Sequence, residues 1–76
     1  MSMFTVRQLK KGQSACIVRF AGITPAGMHK MMALGLTPGD RLEVLQTYPT
    51  YVLRFGHTQL ALDRRLAQGI EVELRP

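Results

Sequence analysis

Tryptophan is absent from these 76 residues, and cysteine occurs once, as Cys16. A single thiol excludes an internal disulfide framework and any multi-cysteine zinc motif. Aromatic residues make up 7% of the chain, too few for the aromatic-lined groove that proline-rich peptides need. No apolar run approaches the roughly 20 residues that span a bilayer. The opening Met1-Ser2-Met3-Phe4-Thr5 lacks the basic-then-apolar pattern of a secretory leader. A soluble, cytoplasmic protein is the expectation. Also missing are the Gly-x-x-x-x-Gly-Lys-Ser/Thr phosphate loop, Gly-x-Gly-x-x-Gly and His-Glu-x-x-His.

What is present suits one small globular domain, residues 1–76. The chain is 46% hydrophobic and 20% charged, a folded rather than disordered composition. A domain of this size buries only about 60% of its unfolded surface, leaving no room for a deep cleft between layers. The net charge is +5. Arg7, Lys10, Lys11, Arg19 and Lys30 precede the first acid, Asp40, and from there five bases balance five acids. The excess therefore belongs to the first half of the chain. It serves solubility, or it attracts an acidic protein face, nucleic acid or an anionic membrane surface.

Patterning along the chain favours strands. Thr5 can cap a turn over Val6 to Lys10, closed by Gly12. Cys16 to Phe20 forms a strand with Cys16, Val18 and Phe20 on one face and Ala15, Ile17 and Arg19 on the other. Thr24-Pro25 is an N-cap followed by proline at the first helical position, and Gly35 with Pro38 ends the helix. Met28, Met31, Met32 and Leu34 share one side of it, with His29, Lys30 and Ala33 opposite; the methionines fill the space against a barrel, offer an adaptable contact surface, or do both. After the Thr37-Pro38-Gly39-Asp40 turn, Leu42 and Val44 alternate with Arg41 and Glu43. Leu45 breaks the alternation, marking a bulge or a contact with the helix. Tyr51, Leu53 and Phe55 form the next inward face, Gly56-His57 a tight connection, and Leu60 and Leu62 follow. Arg65 to Gln68 makes one turn ended by Gly69. Ile70, Val72 and Leu74 then alternate with Glu71, Glu73 and Arg75. The expected fold is mainly β: a partly open SH3-like barrel of about five strands, with one amphipathic helix between the first two.

Catalytic chemistry finds no constellation. Cys16 has no base nearby in sequence and is expected to be a thiol of the strand core. Glu71 and Glu73 lie on the outward face of a strand. Cys16, His29 and His57 are not spaced as a chelating pair, so no metal site and no cofactor are expected.

The stretch Lys30-Met-Met-Ala-Leu-Gly-Leu-Thr-Pro-Gly-Asp-Arg-Leu-Glu-Val44 resembles the signature of the FeoA family of small ferrous iron transport proteins. Leu60-Ala-Leu-Asp-Arg-Arg-Leu-Ala-Gln-Gly-Ile-Glu-Val72 is similar to that family's closing strand, turn and final strand. Thr5-Val-Arg-Gln-Leu-Lys-Lys-Gly12 resembles its leading segment. The resemblance implies an SH3-like barrel and a cytoplasmic, non-enzymatic accessory role beside FeoB, the membrane permease with a GTP-binding domain. The chain departs from the pattern twice. The connection after Tyr48 is short, and Asp63 stands where the family often has a basic residue, with Arg64 and Arg65 one step on.

Exposure and charge suggest a partner surface on the helix and the early basic segment: His29, Lys30, Lys10 and Lys11, with Arg64 and Arg65 as a second basic point. The alternative is a nucleic-acid-binding barrel using Tyr48, Tyr51 and Phe55 as a stacking platform beside Arg54, although alternation with Leu53 favours a core role for Tyr51 and Phe55.

Overall fold

The computed structural model describes residues 3–74, so the expectation for Arg75 in the last strand lies outside the described residues. Six antiparallel strands form one sheet in the order β1-β6-β2-β3-β4-β5. They are β1 (Phe4–Thr5), β2 (Ser14–Phe20), β3 (Arg41–Gln46), β4 (Tyr51–Phe55), β5 (Thr58–Leu62) and β6 (Ile70–Leu74). Helix α1 (Pro25–Ala33) joins β2 to β3, and the short α2 (Arg64–Gly69) joins β5 to β6. This is the partly open, SH3-like arrangement expected, with one more strand. β1 is only two residues long, pairing Phe4 with Val72, and so short a strand carries no alternation to detect.

The core lies inside the curl of the sheet. Val6, Leu36, Leu42, Val44, Leu53, Ile70 and Val72 are fully buried, and no polar or charged side chain is buried among the described residues. The leading turn is a 3-10 turn over Val6–Gln8, shorter than expected, and the Gln8 side chain accepts from the Thr5 N–H at 2.8 Å.

In β2 the expected faces separate differently. Ala15 and Ile17 point into the core, while Cys16 is half-buried and Val18 exposed. Ile17 pairs with Val72 and Arg19 with Glu71, so Val18 is the extra residue of a bulge. That residue resets the in-out parity and returns Phe20 to the core edge. Cys16 is therefore a thiol of the outer strand face, not of the core. The interruption at Leu45 is likewise a bulge: Val44 pairs with Leu53 and Gln46 with Val52.

Helix α1 begins and ends as its sequence requires. The Thr24 hydroxyl accepts from the Gly27 N–H at 3.1 Å, with Pro25 in the first turn. At the other end Leu36 N–H donates to the Met31 carbonyl and Gly35 N–H to that of Met32, each at 3.0 Å. This crossed pair is a Schellman motif, and Gly35 adopts the left-handed φ of 87° it requires. The motif folds Leu36 back so that it and Met31 are buried together. The apolar side of the helix is narrower than its sequence suggests. Met31 is 1% exposed, but Met32 is 61% exposed and Leu34 also faces solvent.

The following turn is locked onto β2. Thr37 donates from both N–H and hydroxyl to the Asp40 carboxylate at 3.0 Å. Gly39 N–H donates to the Ile17 carbonyl, and Ile17 N–H to that of Asp40.

The segment before β6 is a six-residue helix rather than one turn. Asp63 supplies the start, its carboxylate accepting from the Leu66 N–H at 2.8 Å. The Arg7 guanidinium donates to the Gln68 side chain at 3.3 Å, tying the leading turn to α2.

Candidate functional site

A candidate contact surface is built where three separate segments meet. Lys30 of α1, the Thr47–Thr50 connection, and the end of β5 with the start of α2 enclose an open groove of about 310 Å³. Gln46 braces the connection, its side-chain amide donating to the Thr50 carbonyl at 3.0 Å. Tyr48 projects from it, 82% exposed, and the Tyr48-Pro49 peptide is cis. Tyr51 lies half-buried at the groove, and Ala61, Leu62 and Leu66 complete the apolar part of its wall.

Two cations stand at this groove, Lys30 and Arg64. Arg19 is ion-paired with Glu71 at 2.6 Å and Arg54 with Glu43, both directly cross-strand. Neither involves Lys30 or Arg64. The one carboxylate in the groove, Asp63, is engaged as the cap of α2. The lining thus has two positive side chains, an exposed aromatic ring and one acid already hydrogen-bonded.

The six residues proposed from sequence are all exposed, but they do not form one patch. The fold brings Lys30 and Arg64 to a single groove. Arg65 lines a separate depression with Ala21, Gly22 and Glu71. Lys10 and Lys11 lie on the turn before β2, held by a Lys10 N–H to Gln13 side-chain bond of 2.7 Å, and line neither depression. His29 is exposed on α1 outside the groove lining. Sequence reasoning placed Tyr48 only in the alternative stacking platform and did not join it, or Pro49, to Lys30 and Arg64. The signal of Tyr48 and Pro49 was an aromatic-proline pair in a connection too short to bury it.

The stacking platform of the alternative reading is broken up. Phe55 is buried in the core and Tyr51 half-buried, leaving Tyr48 alone fully available, while Arg54 is paired with Glu43. No group of three or more His, Cys, Asp or Glu side chains that could hold a metal ion exists among the described residues. No helix among them is long and apolar enough to cross a membrane.

Comparison with known proteins places this geometry. The FeoA domain matches residues 4–74. The FeoA protein of Chlorobium tepidum, solved in solution, is 30% identical; the match covers 93% of this chain and 70% of that one, with a TM-score of 0.86. A crystal structure described as iron uptake regulatory protein (FeoA) shares 22% identity over 96% of this chain and 97% of that one, with a TM-score of 0.82. The T. acidophilum IdeR structure shares the fold at a TM-score of 0.91 and 19% identity, covering 99% of this chain but 35% of that one. No curated protein matches. With its signature helix, its closing strands and the domain match over residues 4–74 in agreement, this chain belongs to the FeoA family, whose role lies in ferrous iron transport.

Proposed function

We propose that this protein is a non-enzymatic, cytoplasmic accessory of ferrous iron uptake that acts by binding a FeoB-type permease and its GTP-binding domain. The observation that carries the reading is the groove holding Lys30 and Arg64, two cations without ion-pair partners among the described residues, beside the exposed Tyr48. An exposed tyrosine beside an arginine is a composition enriched where proteins meet, and Lys30 adds positive charge to it. His29 extends this surface along α1, while Arg65, Lys10 and Lys11 add to the field that steers an acidic partner toward it.

Support for a non-catalytic role comes from membership of the FeoA family, a family of small accessory proteins.

The test is co-purification of the tagged chain with the permease, paired with ferrous uptake in a strain lacking this protein. Capture of the permease and reduced uptake on deletion are the expected results. Normal uptake without the protein would reject the reading.

A further inference from the structure

The strand order leaves β1 and β5 as the two edges of the sheet. β1 has two residues, too few to template another strand. β5 has five, Thr-Gln-Leu-Ala-Leu, with no charge, proline or bulge. Those are the devices by which edge strands ordinarily avoid pairing with a further chain. This edge is unguarded.

The hairpin determines which backbone groups are already used. Gly56 and His57 form a two-residue turn, with Gly56 at a φ of 58°. The pair flanking such a turn, here Phe55 and Thr58, exchanges both N–H···O bonds, and hydrogen-bonded pairs recur at every second residue. Leu60 and Leu62 therefore direct their backbone groups toward β4. Those of Gln59 and Ala61 point away from it. Both residues are exposed, and among the described residues no strand pairs on that side.

Ala61 also lines the groove that holds Lys30 and Arg64. Open backbone groups thus lead directly to two cations, while the edge itself carries no charge. We propose that the β5 edge and this groove together bind an extended, acidic peptide segment of a partner protein by strand addition. The segment pairs its backbone with Gln59 and Ala61 and places a carboxylate within reach of Lys30 and Arg64. This rests on the reading of the protein as an interaction module and specifies the chemistry of its partner.

The probe is a blocked nonapeptide alternating valine and glutamate, titrated to millimolar concentration into the ¹⁵N-labelled full chain. Saturable shifts are expected at Gln59, Ala61, Lys30 and Arg64, with amide exchange at Gln59 and Ala61 slowed. Replacing each glutamate of the peptide by lysine should weaken binding by about tenfold or more. Ala61→Pro removes an N–H that the ladder with β4 does not use, and should abolish binding in a chain that remains folded. Should that variant unfold, a peptide N-methylated on its pairing edge supplies the same test and should fail to bind the unaltered chain.

The proposal is overturned by absent binding, by shifts confined to Lys10 and Lys11, or by lysine or N-methylated peptides binding equally well. Tighter occupancy of the same residues by oligothymidylate, or self-association through β5, also overturns it. If the permease is captured equally by the unaltered and Ala61→Pro chains, this inference fails and the accessory role stands. If the peptide binds but the permease is never captured, the accessory role fails instead.

Discussion

Gly69 and Ile23 compete for one space: a Cβ added to Gly69 would lie 2.8 Å from both Ile23 Cδ1 and the Ala21 carbonyl oxygen. Gly69 has no positive φ, so glycine is required by close approach rather than by backbone conformation. The Ala21 N–H donates to the Gly69 carbonyl at 2.8 Å, which pins the two segments together. Gly69→Ala must therefore push backbone as well as side chain. A loss of about 1–3 kcal/mol is expected, read as a lower urea midpoint at unchanged slope.

Adjacent methionines should differ sharply. Met31 is buried under α1 and Met32 is mostly exposed. Met31→Ala should cost about 2–5 kcal/mol through the cavity it leaves. Met32→Ala should stay within about 0.5 kcal/mol. Thermal melts of the two variants check the contrast, and equal effects would contradict the placement of the helix.

Asp63 holds the start of α2 and with it the position of Arg64. Asp63→Ala should destabilise by about 1 kcal/mol, while Asp63→Asn, an equally good cap, should be nearly neutral. Chemical denaturation of both variants separates capping from charge.

The basic residues should not be equivalent in partner binding. Lys30→Glu with Arg64→Glu alters the groove itself and should lose capture of the permease at physiological salt. Lys10→Glu with Lys11→Glu changes only the surrounding field, and should slow association in a way that added salt masks. Association and dissociation rates measured across ionic strength distinguish the two pairs.

Much of the fold was legible in the sequence because local signals agreed with one another. Thr24-Pro25 and Gly35 bound a helix from both ends, and the Pro38-Gly39 turn leads directly into alternating Leu42 and Val44. Errors arose where one residue changed the parity. Val18 made the outward Cys16 look like a core residue, because the apolar set on that face is as long as the inward one. Met32 and Leu34 face solvent although their spacing puts them on the side of Met31, because periodicity reports a direction and not the width of the surface that receives it. The groove was hidden for a different reason. Its residues come from positions 30, 47–51, 61–64 and 66, which only the packing of α1 beside the β3–β4 connection brings together.

The bulge at Val18 bears on which changes in length the chain tolerates. Without Val18, Ile17, Arg19 and Phe20 would still match Val72, Glu71 and Ile70 in unbroken sequence. A deletion there should leave every rung of the ladder in place and remove only the local bend. The residue is dispensable for alignment and needed for curvature, so homologues one residue shorter at this point would be expected to keep the same neighbours on a flatter sheet.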